Sequence, residues 1–121
     1  MTAIVRIAGV AALVVACATP PKPRELDTYE ALRKTANIQE AAKKSPSLIA
    51  TSEKLGDKAR EEWQSNDLEE SRRDALMAHI KLKTALALLE QEQLKAKIST
   101  LSSEQARAQE EYTDLAEKLA S

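Results

Sequence analysis

Two groups able to act as nucleophile or metal ligand occur once each along these 121 residues, the thiol of Cys17 and the imidazole of His79. A lone cysteine cannot close a disulfide within its own chain, and left unmodified in an oxidising compartment it is a liability. Metal sites draw on several His, Cys or carboxylate ligands. His79 has no second His or Cys near it in sequence, so it reads as a histidine at the edge of a helical core and no metal is expected. Glu61-Glu62, Glu69-Glu70 and Glu110-Glu111 are paired carboxylates in sequence only. Neighbouring helical positions point away from each other, so these pairs read as solvated helix faces rather than as an acid and a base. Ser99, Ser102 and Ser103 lack the glycines of a nucleophile elbow, and no glycine-rich phosphate loop occurs. The sequence therefore predicts no enzyme, and Cys17 becomes the residue to explain.

Arg6 is the sole charge ahead of Ile7-Ala8-Gly9-Val10-Ala11-Ala12-Leu13-Val14-Val15-Ala16, an apolar run of about ten residues that closes on Cys17. A positive flank, a short apolar core and small residues before a cut site make a bacterial secretory signal peptide, here residues 1–16. The run is too short to cross a bilayer, which takes ~20 apolar residues. Val14-Val15-Ala16-Cys17 resembles a bacterial lipobox. The resemblance implies cleavage before Cys17 and acylation of its sulfur and of the new amine. That covalent lipid is the only non-protein group expected; no other cofactor is. A plain signal peptide with an incidental cysteine, or an uncut anchor, would use the same stretch. The only cysteine standing where the motif needs it favours the lipobox.

Acylation would also remove the free thiol. Each buried methylene contributes ~0.8 kcal/mol, and one chain binds a membrane reversibly whereas two or more hold firmly. The three chains usual for bacterial lipoproteins would make a permanent anchor. Ala18 follows the cysteine, where Asp in enteric lipoproteins favours the inner membrane. The address expected is the bacterial cell envelope, on the outer membrane and facing the periplasm.

Past residue 16 about a hundred residues remain, enough for one small domain. Aromatic residues make up 2% of the sequence, Phe is absent, glycine numbers 2 and charged residues reach 31%. Globular cores lean on aromatic side chains, which bury about 150–250 Å² each, and Trp63, Tyr29 and Tyr112 are the whole supply. Ala, Leu, Glu, Lys and Gln dominate; they are strong helix formers, and together they signal long helices or coiled coil. Net charge is −1 with both signs interspersed, so no nucleic-acid partner is expected.

Residues 18–24 carry three prolines in seven positions. With Cys17 they predict a lipidated, proline-rich tether over 17–24, extended for ~20 Å and lifting the folded part off the lipid. A first helix is expected over Glu25 to Lys44. Leu26, Tyr29, Leu32 or Arg33, Ile38 and Ala42 lie on its inner stripe, and Glu30–Lys34 and Glu40–Lys44 form surface pairs. Ser45-Pro46 ends it and opens a second helix to Gln64, with Ser45 as N-cap. There Leu48, Ser52, Leu55, Ala59 and Trp63 share one face. Gly56 costs ~1 kcal/mol against Ala inside a helix, which marks a close helix approach. Asn66 or Asp67 caps the next helix.

That third helix runs from Leu68 to about Ala120, nearly 80 Å at ~1.5 Å per residue. Leu68, Arg72, Ala75, His79, Leu82, Leu86 and Leu89 form its first stripe. Leu94, Ile98, Leu101, Gln105, Ala108, Tyr112, Leu115 and Leu119 follow at strict four-three alternation, a heptad seam. The two stripes fall out of phase between Leu89 and Leu94, as a skip or a change of partner would produce. The fold class expected is all-α. A tetratricopeptide-like helical hairpin would occupy residues 25–93, and a long C-terminal helix, heptad-patterned over 94–121, would suit a coiled coil.

Trp63 reads as the side chain that closes the core between the second and third helices, near Ala75 and His79; a platform for a sugar or peptide is the competing role. Pro46, Leu48, Leu55, Ala59, Trp63, Asn66-Asp67, Ala75, Ala78 and Ala85 resemble the domain of unknown function 4398 family, which comprises short helical segments of bacterial lipoproteins. Ser71 stands where that family tends to have Ala, and Asn66 where Gly is common. Family members often continue into a heptad-rich helix and a peptidoglycan-binding domain like that of outer membrane protein A. The residues through Ser121 contain no such domain, so cell-wall binding is not carried over. The reading that results is a non-catalytic outer-membrane lipoprotein serving as a periplasmic scaffold or docking module. Leu94, Ile98, Leu101, Ala108, Tyr112, Leu115 and Leu119 would engage a protein partner or a second copy. A helical ligand carrier or envelope-enzyme inhibitor built around Trp63 is the main rival, and a cell-wall binder using surface Lys and Arg is the third.

Overall fold

Three short interruptions divide the helix-forming sequence. A computed structural model describes residues 18–121, so Val14, Val15, Ala16 and Cys17, with the signal peptide, lie outside the described residues. Within them the chain is all-α: α1 (Arg24–Thr35), α2 (Ile38–Lys44), α3 (Pro46–Gln64) and α4 (Leu68–Ala120). The bundle runs up through α1 and α2, down α3 and up again through α4.

The sequence predicts one helix over Glu25 to Lys44, and the chain makes two. Ala36 is extended at φ −81° and ψ 150°. The Asn37 side chain then accepts a hydrogen bond from the Glu40 N–H at 3.2 Å and starts α2. Asn competes for backbone groups and so prefers caps to helix interiors. Neither expected i,i+4 pair forms: Glu40 pairs locally with Lys43 at 2.7 Å, and Glu30 and Lys44 find partners farther off. Glu30 pairs with Lys22 and Arg60 instead of Lys34, and Lys44 reaches Glu92 on α4 at 2.8 Å. Ser45 takes the N-cap position of α3 without a side-chain cap bond; Pro46 in the first turn brings its preset φ and needs no N–H partner. Asn66 reverses the chain into α4 at φ 64°, a left-handed conformation that Asn tolerates best after Gly. Asp67 stands at the N-cap position of α4, also without a side-chain cap bond.

Small residues bring α3 and α4 together. Ser52 and Ala59 on α3 face a stripe of Ser71, Ala75, Ala78 and Ala85 on α4, all buried. Two hydroxyls stitch the contact: Ser52 Oγ donates to the Ala78 carbonyl at 2.8 Å, and Ser71 Oγ donates to the Ala59 carbonyl at 2.6 Å. Each buried hydroxyl thereby finds an acceptor, as burial demands. The inner stripe of α4 is therefore Ser71, Ala75, Ala78, Leu82, Ala85 and Leu89. Leu68, Arg72, His79 and Leu86 from the expected stripe sit at its margin or outside it. Picking the largest apolar side chains misplaces the stripe, because helices this close bury small ones.

Tyr29 of α1 closes the bundle. Its ring is 1% exposed and its hydroxyl donates to the Ser52 carbonyl at 3.3 Å. The ring lies against Gly56, where a Cβ would stand 2.6 Å from Tyr29 Cζ. The close approach predicted at Gly56 is thus made by α1. Arg60–Glu30 at 3.0 Å and Arg33–Glu53 at 2.9 Å fix α1 antiparallel to α3. Cover on α4 ends near Leu89: every residue from Glu90 to Ala120 is exposed, a reach of roughly 45 Å beyond the bundle.

Candidate functional site

The projecting half of α4 carries the heptad seam. Exposure of its large apolar side chains runs from 50% at Leu94 through 67% at Ile98, 63% at Leu101, 70% at Tyr112 and 59% at Leu115 to 87% at Leu119. Gln105 and Ala108 in the middle of the strip are exposed too. Alternation by four and three lines these side chains along one side of a single helix. Solvated pairs stand on the rest of the surface, Arg107–Glu111 at 3.0 Å and Lys118–Asp114 at 2.7 Å. Exposed helix pairs of that kind contribute ~0.3–0.5 kcal/mol each, so they solubilise the rod more than they hold it. Large exposed apolar patches are uncommon on soluble monomers, which makes this strip the most unusual surface among the described residues.

At the opposite end of the bundle lies the proline-rich segment. Residues 18–23 do not stand free of the bundle: they rest against the end of α3. Trp63 Nε1 donates to the Pro20 carbonyl at 2.8 Å, and Lys22 Nζ sits 5.7 Å from the centroid of the indole ring. Lys22 also pairs with Glu30, and with Asp27 at 3.1 Å. Ala18, Thr19 and Pro20 share a shallow depression with Gln64 and Asn66 of the α3–α4 turn. Trp63 is half-buried there, packed on the margin of the core. The sequence expects it mostly buried near Ala75 and His79; its indole N–H instead finds an acceptor in the N-terminal segment, as a buried indole requires. Periodicity within helices carries no signal for a contact across 43 positions.

Two carboxylates lock this end electrostatically. Burial would raise the Glu30 carboxyl, but hydrogen bonds from Lys22 and Arg60, with their charges, more than offset it and hold it below its ordinary value. Asp74, 5% exposed, is likewise raised by burial and lowered further by Lys58 at 2.5 Å and Arg73 at 3.6 Å, with a net shift downward. Neither residue stands out in sequence, because Arg60 and Lys58 reach them from α3 and Lys22 reaches Glu30 from the N-terminal segment.

His79 lies on the α4 margin, with Nδ1 buried and unpartnered. Burial pushes its pKa down and the Lys83 charge adds to that, so both act against the charged form of the imidazole. Among the described residues no group of three or more His, Cys, Asp or Glu side chains could hold a metal ion. Of the paired glutamates, Glu62 engages Lys58 at 3.1 Å and Glu70 engages Arg73. Glu70 stands near the helix surface as expected, whereas Glu62 is mostly covered and its Oε2 is buried and unpartnered. No described helix is long and apolar enough to cross a membrane.

Comparison of the chain with protein-family models, with curated proteins and with solved structures finds no match.

Proposed function

We propose that this chain is a non-catalytic lipoprotein of the bacterial outer membrane, anchored at Cys17 and serving as a periplasmic docking rod. The observation that carries the docking role is the strip from Leu94 to Leu119, 50–87% exposed at its large side chains and uncovered by any other part of the described chain. Sequence supports the anchor through Val14-Val15-Ala16-Cys17 and the apolar run before it. The position of the segment that follows Cys17 supports this reading. Ala18, next to Cys17, lies beside the α3–α4 turn, from which α4 rises for 53 residues, ~80 Å. A lipid on Cys17 would therefore hold the bundle close to the membrane and project the strip away from it.

The carrier reading loses its main support at Trp63, whose N–H is taken by Pro20 and whose ring is partly covered by Lys22. A platform for a sugar needs both free.

Two measurements test the proposal separately. Radiolabelled palmitate should enter the wild-type chain and not Cys17→Ser; equal labelling would remove the anchor. Crosslinking in intact cells, followed by capture of the tagged chain, should recover complexes that Leu101→Glu/Leu115→Glu abolishes while the bundle stays folded. Complexes unchanged by that double substitution would remove the docking rod.

A further inference from the structure

The strip does not begin at Leu94. Counting back from Leu94 by the same alternation gives Gln91, Ala87, Thr84, Ile80 and Met77, every one exposed, with Ile80 at 46% and Met77 at 40%. Each of these five lies two positions beyond a buried residue of α4: Ala75, Ala78, Leu82, Ala85 and Leu89. Two helical steps turn ~200°, so the seam runs on the face opposite the one that packs against α1 and α3. The phase change between Leu89 and Leu94 is thus no skip. Two separate stripes overlap on one helix, and the outer one runs from Met77 to Leu119, ~63 Å long. A second helix can lie along that whole length without meeting the bundle.

We infer that the occupant of this face is a second copy of the chain, paired with the first in parallel and in register as a two-stranded coiled coil. The inference rests on the docking-rod proposal and names its partner. Polar residues and charges along the seam select this arrangement. Leu94, Leu101, Ala108 and Leu115 take one core position of the heptad, and Gln91, Ile98, Gln105, Tyr112 and Leu119 the other. In parallel register Gln91 and Gln105 each meet their own counterpart and can bond amide to amide, the use of a polar core residue that fixes register and strand number. In the antiparallel alignment that matches Leu94 with Leu119, Gln105 faces Ala108 and finds no such partner.

Flanking charges agree. Parallel pairing sets Glu90 beside Lys95 of the second copy, an attraction made twice by symmetry. It then matches Lys97 with Ser102, Glu104 with Gln109 and Glu111 with Ala116, with no like charges opposed. The antiparallel alignment opposes Lys97 to Lys118 and Glu104 to Glu111, which repel.

Single cysteines test this in the chain of residues 18–121, which holds every described element and no native cysteine. Under mild oxidation Gln105→Cys should crosslink to itself in nearly full yield. A chain that crosslinks only when Gln105→Cys is mixed with Ala108→Cys would overturn the parallel arrangement. Sedimentation should show a dimer whose dissociation constant rises about tenfold or more for Ile80→Glu, with the helical signal and melting of the bundle unchanged. An unchanged constant would overturn the extension to Met77. Lys95→Glu should weaken the dimer, and Glu90→Lys/Lys95→Glu should restore it. A strictly monomeric wild type that never crosslinks would overturn self-pairing outright. The docking rod itself would still stand or fall on the cell-crosslinking result for Leu101→Glu/Leu115→Glu.

Discussion

The indole Nε1 of Trp63 donates to the carbonyl of Pro20 at 2.8 Å, joining the end of α3 to a segment 43 positions earlier. Lys22 above the ring and its pairing with Glu30 hold the same segment from a second side. The two ends of the molecule thereby acquire different tasks. The N-terminal segment is fixed beside the α3–α4 turn, and the apolar strip is carried to the far end of α4.

Docking of that segment has an optical signature, because Trp63 is the only tryptophan. Removing residues 18–22 should shift its emission to longer wavelength and raise its quenching by acrylamide. Trp63→Ala should cost less than the ~3–5 kcal/mol typical of a fully buried aromatic, since the side chain is only half-buried. Emission unaffected by the truncation would mean that the segment does not rest on Trp63 in solution.

Gly56 should resist the substitution that helix propensity recommends. Alanine favours a helix by ~1 kcal/mol over glycine, yet its methyl would meet the Tyr29 ring, which is buried and tied to the Ser52 carbonyl. Overpacking of this kind costs ~1–3 kcal/mol. Gly56→Ala should lower the urea midpoint, and Tyr29→Leu/Gly56→Ala should recover part of what Gly56→Ala loses beyond Tyr29→Leu alone. A stabilised Gly56→Ala would show that α1 does not press on α3 there.

Much of this fold was legible from local signals. Ser45-Pro46 and Gln64–Asp67 bound α3, because breakers act through their own backbone geometry. The heptad alternation from Leu94 is likewise a property of one helix. What escaped depends on distant residues: the Trp63–Pro20 bond, the Glu30 and Asp74 ion pairs, and the choice of Ser71 and Ala78 over Leu68 and Leu86 for the interface. The outer stripe of α4 escaped for a different reason. Thr84, Ala87 and Gln91 weaken its first half, and the stronger inner stripe masks it until burial separates the two faces.

Stability should fall on the acid side in two stages. His79 is held below its ordinary 6.5 by burial and by the Lys83 charge, so the unfolded chain takes up that proton first and stability declines as pH drops through 6.5. Glu30 and Asp74 are held below their ordinary 4.5 and 3.8. Their contribution is complete above those values and is lost as pH falls toward the lower folded values. Urea midpoints measured from about pH 7 to about pH 3 should show both declines. His79→Leu should flatten the first and Asp74→Asn the second. A midpoint independent of pH across that range would contradict both.

Protection of backbone amides should divide α4 in two. From Ser71 to Leu89 the helix is held by buried contacts with α1 and α3, whereas beyond Glu92 none of the described residues covers it. A helix in water without tertiary packing is marginal even at favourable composition. In Leu101→Glu/Leu115→Glu, which keeps the far strip from pairing, amides after Glu92 should therefore exchange at least about a hundredfold faster than those of Ser71 to Leu89. In the unsubstituted chain at high concentration the same amides should gain protection, beginning where Ile98 and Leu101 would enter a partner. Uniform protection along the whole of α4 in the double variant would mean that the projecting half is stable by itself and needs no partner.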